Sequence, residues 1–476
     1  MNTDKAKHIF VFLSVFIRVH PWPKGFFVME FSRQTREDLF SQVADAARVQ
    51  GVSEIETIVT GGAHALTRFA NNAIHQNVAE RAVHVSVRPV LDGRTARATT
   101  NRLERDGIRD VVAEAIAITR LTAPDPDLPP LARRAEYRPV ERWFEATAEA
   151  TPEERALAVA EAIGAVKGAS QTAAGIYSTG ETFFALGNSR GISAFYRDTM
   201  AHFSITALDG DSSGWAKAGA CYHGELDPAQ LAASASAKAT ASRHPRELPA
   251  GRYTVILEPA AALDLTGQMF GDFSATAIRD GRSFLNDRIG QKVFGGNIDI
   301  YDDAYHPLQA GPPFDGEGVP RQRLALVESG VVREIAYCRQ AAALAGVEPT
   351  GHGFPLPNEF GEAPANIVVL GGESSVEEMV ASTERGVLVT RFWYIREVDP
   401  YEKIFTGMTR DGTFLVEDGR IAAGLRNFRF NQGLIEMLNN VEALGRPVRA
   451  SGEEAGDMVV PAMKVREFNF TEVTRF

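Results

Sequence analysis

Tyr253-Thr254-Val255-Ile256-Leu257-Glu258-Pro259-Ala260-Ala261-Ala262-Leu263 joins a β-branched apolar run to an alanine-rich one through a single Glu-Pro step. Proline fixes φ and offers no backbone N–H, which suits the first residue of a helix and excludes the middle of a strand. The stretch therefore predicts a strand over 253–257 and a helix opening at Pro259, with residues 260–265 packed against the sheet. It also marks a change of texture. Before it, helix and strand signals alternate; after it, β-branched and aromatic runs are separated by glycine turns. The expected fold class is α+β, with an N-terminal mixed α/β domain over 29–245 followed by a β-rich C-terminal domain over 246–476.

Upstream of that junction, Thr35 is read as the cap of a helix in which Leu39, Val43, Ala46 and Ala47 recur at helical spacing until Gly51. A strand is expected over 55–60. Residues 83–88 alternate apolar and polar side chains as a half-buried strand does, and Asp92-Gly93 just after them signals a hairpin. Ile108, Val111, Val112, Ala115 and Ile116 share one helical face. The proline-rich segment 122–130 excludes helix and sheet centre alike and reads as a linker. Thr151-Pro152-Glu153-Glu154 carries the signature of a capping box with proline at the first helical position. Strands punctuated by Gly187-Asn188 and Asp209-Gly210 follow, then an alanine-rich helix after Asp227-Pro228 that stops before Pro245.

Downstream, strands are expected at 253–257, 324–328, 331–337, 367–370, 387–395 and 413–416, with Asp418-Gly419 turning a hairpin. On a regular strand over 387–395, Arg391, Trp393 and Ile395 face one way and Phe392, Tyr394 and Arg396 the other.

Fifty basic against 61 acidic residues give a net charge of −11, which repels a phosphate backbone and argues against nucleic acid as a direct partner. Two cysteines, Cys221 and Cys338, make neither a disulfide framework nor a cysteine metal cluster and fit small core residues in a reducing compartment. Residues 1–28 stand apart as a non-native or disordered extension, with Met29 the expected initiator. Lys5 and Lys7 precede an apolar run at 8–17 that is shorter than the ~20 residues of a membrane span, and no small-residue cleavage pattern follows it. An interfacial anchor and an export signal are the alternatives. No other segment could span a bilayer, so no membrane partner is expected.

Familiar catalytic motifs are missing: there is no phosphate-binding loop, no Gly-x-Ser-x-Gly, no His-Glu-x-x-His and no Cys-x-x-Cys. The ten histidines are scattered, none four residues from another, so no helix presents a histidine pair to a metal. His223-Gly224-Glu225 reads as a loop before a ligand pair, and Gly351-His352-Gly353 as a flexible loop before a site. Asn71, Asn72 and His75 form a polar cluster beside Arg68 that suits either a ligand contact or a turn.

Three blocks carry a family resemblance: residues 66–77, Leu66-Thr67-Arg68-Phe69 through Asn77; residues 253–261; and the terminal set Arg391-Phe392-Trp393-Tyr394-Ile395-Arg396, residues 406–412 and Arg429-Phe430-Asn431. In order and spacing they resemble the TldD/TldE (PmbA) peptidase family, most like the TldE/PmbA-type subunit that lacks the His-Glu-x-x-x-His zinc motif. The resemblance implies that a zinc subunit would carry two histidines and a glutamate where this chain has Glu258, Pro259 and Leu263. It implies a further zinc ligand from a C-terminal cysteine, whereas no cysteine follows Cys338. A proline is no general base and a leucine no zinc ligand, so neither catalytic residues, nor metal ligands, nor a cofactor are expected in this chain, with zinc supplied by a partner.

The function so implied is a metal-free subunit of a cytoplasmic TldD/TldE-like metallopeptidase complex that processes unstructured peptides, with a TldD-like zinc-bearing subunit as partner and a dimeric assembly. Arg391, Tyr394, Arg396, Thr409 and Arg410 are the candidate substrate contacts, lining a groove that takes an extended peptide by strand addition; an aromatic core face with a salt-bridged outer face is the plainer alternative. A metal-independent hydrolase and a non-enzymatic peptide-binding homodimer are the competing functions. Members of the family are also described as modulators of DNA gyrase, which the acidic charge makes an indirect effect.

Overall fold

Ser32, not Thr35, opens the first helix: its hydroxyl accepts the Thr35 N–H at 3.1 Å, and α1 (Arg33–Val49) buries Leu39, Val43 and Ala47. Nothing in Arg33 or Gln34 breaks a helix, so the turn continues back to the first good cap. This computed structural model describes residues 31–474, and the expectations for residues 1–28 lie outside them.

Two long strands follow, β1 (Ile55–Ala70) and β2 (Ala73–Leu91), paired antiparallel from end to end. β1 runs ten residues past the expected Thr60, through Gly61 and Gly62. Glycine is required there by close packing: a Cβ at Gly61 would lie 2.6 Å from the Phe183 ring, and one at Gly62 would strike the Glu181 carbonyl. Asn71 and Asn72 make the turn with φ of 52° and 60°, the left-handed pair that a two-residue hairpin demands. The Asn72 side chain accepts the Ala173 N–H at 2.7 Å and donates to the Gln171 carbonyl at 3.0 Å.

Helices α2 (Arg105–Leu121) and α3 (Pro152–Gly168) come next, the latter opened by the expected Thr151–Glu154 capping box. Then come β3 (Thr172–Asn188), β4 (Ser193–Asp209), β5 (Ser212–Ala220) and α4 (Pro228–Ala241), which Asp227 caps. The long strands lie in the order β2-β1-β3-β4-β5 within an antiparallel sheet of seven. Period-two alternation divides their side chains between two faces. Val59, Val87, Phe183 and Ala185 pack under α1 and α2, and Phe69, Tyr177, Phe203 and Ile205 under α3 and α4. The alternate residues Ile58, Leu186, Ala194 and Tyr196 meet Phe314 of the C-terminal half.

The C-terminal half is organised by β6 (Gly251–Leu257), which ends at Glu258 and hands over to α5 (Pro259–Thr266) as the Glu-Pro step requires. Around β6 stand β7 (Arg385–Asp399), β8 (Ile404–Glu417), β9 (Phe428–Gly433) and β10 (Met463–Val473). They pair in the order β7-β6-β10-β9-β8, and β8 pairs back with β7, so the hydrogen bonding closes on itself. Inside this ring Phe392 lies 4.8 Å from Phe430 and 5.8 Å from Phe468, centroid to centroid, and Phe428 stacks on Phe470 at 4.5 Å. A second sheet of six strands, all five residues or shorter, includes Ile300–Asp302, Leu324–Glu328 and Ile367–Val369. The strand expected over 331–337 covers only Val331–Val332, because Ala336 turns away to donate to the Phe273 carbonyl at 2.8 Å.

The two halves are fastened by polar contacts. Arg142 donates to the carbonyls of Ala304 at 2.6 Å and Gly311 at 3.1 Å, and His202 on β4 bonds Asp457 at 2.9 Å, which Arg449 also contacts at 3.1 Å. Burial alone would raise the Asp457 carboxyl, but the His202 hydrogen bond and the neighbouring positive charges outweigh it and hold the group at about 2. A depressed carboxylate contributes stability above its unfolded value and loses it as pH falls through the folded one. Asp457→Asn is expected to lower unfolding stability by roughly 1.5–3 kcal/mol near neutral pH, a deficit that shrinks below about pH 4. Denaturant titrations of both proteins across that range check it.

Candidate functional site

The regular alternation expected along β7 breaks at Tyr394. Trp393 pairs with Met408 and Arg396 with Thr406, so Tyr394 and Ile395 lie opposite the single residue Gly407, one residue is surplus to the ladder, and Tyr394 takes φ of 59°. This is a bulge. Its effect is to turn Phe392 and Ile395 both into the apolar core, correcting the expectation that they point to opposite faces. Tyr394 and Arg396 are left outside, 53% and 57% exposed, with the Arg396 guanidinium 4.3 Å from the Tyr394 ring centroid.

The other candidate contacts divide by burial. Arg391 is only 7% exposed: its Nε donates to Asp411 at 3.1 Å, a second guanidinium nitrogen reaches the same oxygen, and its plane lies 4.9 Å from the Trp215 ring centroid. Asp411 also accepts from the Ser213 hydroxyl at 2.6 Å, which ties β5 of the first half to the middle of β8. Arg410 sits 4.9 Å from the Trp393 ring with its Nε 3.6 Å from Asp411. Thr409 is buried, and its hydroxyl accepts the Phe428 N–H at 2.9 Å inside the strand ring, where it pins β8 to β9. Arg391, Tyr394, Arg396 and Arg410 thus share one region, and Thr409 belongs to its supporting wall.

Four residues that the sequence did not single out complete this region: Lys217, Asp264, Glu453 and Glu454. Asp264, on α5, accepts the backbone N–H groups of Glu453, Glu454 and Ala455 at 2.9, 2.9 and 3.3 Å through one oxygen. Burial pushes its carboxyl up to about 6 despite those three donors. Gly452 is needed for the approach, since a Cβ there would collide with the same oxygen. The loop so anchored carries Glu453 to 3.3 Å from Lys217 and 3.6 Å from Arg391, and Glu454 to 3.6 Å from Arg396. The Tyr394 N–H, surplus to the ladder, donates to Glu454 at 2.5 Å. The signal that could have found this loop is Gly452-Glu453-Glu454-Ala455-Gly456, two acids bracketed by glycines.

The positions that the resemblance assigns to zinc chemistry are plainly placed. Glu258 caps β6, Pro259 starts α5, and Leu263 is fully buried in the core. Glu258 is engaged by Lys238 at 2.6 Å and by the Thr390 hydroxyl at 3.3 Å. An apolar cleft of about 490 Å3, lined by Val376, Val380, Leu388, Phe414 and Ile421, opens beside the pair. One carboxylate already neutralised by an ammonium, next to a proline and a leucine, does not fit a zinc ion. Among the described residues no group of three or more His, Cys, Asp or Glu gathers as a metal site would need.

The remaining candidates are structural. His223-Gly224-Glu225 forms a single 3-10 turn whose His223 N–H donates to Thr147 at 2.9 Å. Gly351-His352-Gly353 is no flexible loop: His352 is buried, 2.9 Å from the Thr350 hydroxyl and 3.2 Å from Asp302, and Gly353 donates to Asp315 at 2.7 Å. Buried polar partners fix the backbone there that glycine alone would leave free. Asn72 makes turn bonds, as above, and His75 is exposed. Cys338 is buried, with its thiol pushed up to about 12 by burial and by Glu362; Cys221 is half-buried.

A helix-covered antiparallel sheet is docked on a closed ring of strands, and the position that the resemblance assigns to a metal motif falls at the β6–α5 junction. Three family models match in order: the PmbA/TldA metallopeptidase domain 1 over residues 56–119, the central domain over 144–243 and the C-terminal domain over 250–472. This chain belongs to the PmbA/TldD family. The first two models fall on the single N-terminal sheet, and the gap before the third contains the expected break at 245. Metalloprotease PmbA of Escherichia coli O157:H7 is 24% identical over 453 residues, 92% of this chain and 96% of that protein. A metalloprotease of Methanothermobacter thermautotrophicus is 26% identical over 215 residues, with only 44% of its own length covered. TldE from Thermococcus kodakarensis superposes with a TM-score of 0.81 at 20% identity, covering 91% of this chain and 99% of that one. A Thermotoga maritima protein described as a candidate modulator of a DNA gyrase does so with a TM-score of 0.81 at 22% identity, covering 91% of this chain and 100% of that one.

The contrast between the two arginines on β7 is measurable. Arg391→Ala strands Asp411 in a buried setting and is expected to cost about 3–5 kcal/mol. Arg396→Ala removes an exposed pair and is expected to cost less than about 1 kcal/mol. Urea unfolding of the two variants checks the difference.

Proposed function

We propose that this chain is the metal-free subunit of a two-subunit metallopeptidase that processes unstructured peptides, its partner a TldD-like subunit that carries the zinc. The observation that carries the reading is the β6–α5 junction, where Glu258 is committed to Lys238 while Pro259 and Leu263 offer no ligand. The likeness to TldE over nearly the whole chain supports it. The role left to this chain is to form part of the peptide-binding wall through Trp393, Tyr394, Arg396 and Arg410, where an exposed guanidinium beside an aromatic ring suits a peptide carboxylate. Holding an extended substrate beside a partner's metal is a large contribution, since misplacement by about 1 Å can cost roughly a hundredfold in rate. No helix among the described residues is long and apolar enough to cross a membrane, and the proposed location is the cytoplasm.

Two measurements test the reading. Elemental analysis of the purified chain is expected to find no stoichiometric zinc; one tightly held zinc per chain, lost on Glu258→Ala, overturns it. With a zinc-bearing relative from the same cell, cleavage of an unstructured peptide is expected only from the mixture. There Arg396→Ala lowers the rate by about tenfold or more without changing zinc content, while Glu258→Ala changes it little. Cleavage by the isolated chain in the presence of chelator refutes the proposal in favour of a metal-independent hydrolase.

A further inference from the structure

The exposed arginine that suits a peptide carboxylate already has one beside it, and that carboxylate comes from the chain itself. Glu454 stands 3.6 Å from Arg396 and takes the Tyr394 N–H at 2.5 Å. That N–H belongs to a bulge residue at φ of 59°, a conformation that a tyrosine keeps only where its surroundings impose it. The result is an outward-pointing backbone donor with no strand partner, next to a guanidinium and an aromatic ring. A donor so placed is open to an acceptor from outside the chain as well as to Glu454.

The loop that supplies the acceptor is held by its backbone rather than by its acids. Three of its N–H groups rest on Asp264, and the Gly452 carbonyl accepts from Lys217 at 2.5 Å. The two glutamates differ in how firmly they are kept. Glu453, 25% exposed, faces the buried Arg391 and the half-buried Lys217, whereas Glu454, 18% exposed, faces an arginine that is 57% exposed. At 3.6 Å, with the arginine exposed and its Nη1 donating instead to the Ile395 carbonyl at 2.6 Å, that ion pair is weak. The Glu454 side chain can therefore rotate out while the loop backbone keeps all its bonds, leaving the Tyr394 N–H and the Arg396 guanidinium to another carboxylate.

We propose that the Tyr394 N–H and Arg396 form a carboxylate-binding site for peptides, and that Glu454 is its built-in occupant, displaced when a peptide carboxylate binds. The inference rests on the peptide-binding reading above and adds the ligand group and its competitor. An internal occupant lowers apparent affinity by the fraction of molecules in which the site is open. It favours ligands that bring a carboxylate together with other contacts, and rejects uncharged chain ends.

The test is binding by the full-length chain alone, which needs neither partner nor zinc. Fluorescein-labelled tetra-alanine is titrated with a free C-terminal carboxylate and as the C-terminal amide, together with amidated Ala-Ala-Glu-Ala. Glu454→Gln is expected to tighten binding of the free acid by about tenfold and to leave the tetra-alanine amide unchanged, and adding Arg396→Ala is expected to abolish the gain. A gain for the glutamyl amide as well identifies side-chain carboxylates as ligands; a gain for the free acid alone identifies the chain terminus. The proposal is overturned if Glu454→Gln and Glu454→Ala both leave free-acid affinity within about twofold of wild type, if the tetra-alanine amide gains equally, or if no peptide binds. Carboxylate-selective binding without cleavage by the mixed complex refutes the metallopeptidase assembly and leaves this site standing; cleavage that ignores Glu454 does the reverse.

Discussion

Phe392, Phe430 and Phe468 in contact inside the closed ring of strands are the constraint on which the C-terminal half depends. A closed ring has a fixed interior, and each strand must present its large side chains to it in register. With Phe392 inside, strict alternation would put Ile395 outside. The chain inserts a surplus residue instead, recovers Ile395 for the core and pays with one strained tyrosine. The polar face of the protein at this point, an outward N–H and two arginines of different depth, is thus a by-product of packing an aromatic core. The same ring fixes the far end of β6, so the Glu-Pro step falls where the strand leaves the ring and α5 begins.

Joining the halves is the second constraint. The helix-covered sheet offers its bare face to the C-terminal half, and the contacts there are directional: Arg142 on carbonyls, His202 on Asp457, Ser213 on Asp411. Hydrogen bonds fix relative position more sharply than apolar contact does, because they fail within a fraction of an ångström. Lys217 on β5 and Asp264 on α5 then grip one loop from the two halves, so the loop's glutamates are placed by the docking as much as by their own sequence.

What the sequence made legible was whatever is encoded locally. The Thr151 capping box, the Asp227 cap, the Glu258-Pro259 step and the Asp418-Gly419 hairpin all appear where neighbouring residues specified them. The family resemblance rested on blocks that the matched domains contain. Elements fixed from a distance were not legible. β10 carries Lys464, Arg466, Glu467 and Asn469 and reads as polar, yet it is a strand because β6 and β9 flank it. Among the site residues, Arg391, Tyr394, Arg396 and Arg410 were visible as a signature, but the depth of Arg391 depends on Trp215 and Asp411, and the orientation of Tyr394 on a bulge that no alternation rule foretells. Asp264 and the glutamates it positions are 189 and 190 residues apart in the chain, which puts their partnership beyond any local pattern.

The Lys238–Glu258 pair has a consequence for how such a chain can change over generations. An imidazole at position 258 would inherit an ammonium neighbour, which opposes the positive charge of any cation brought to it. One at 263 would have to displace a leucine from a packed interior before it met anything it could bind. Neither change alone assembles a metal site and each is expected to cost folding stability, whereas drift at the exposed rim around Tyr394 costs little, so the rim is freer to vary than the junction.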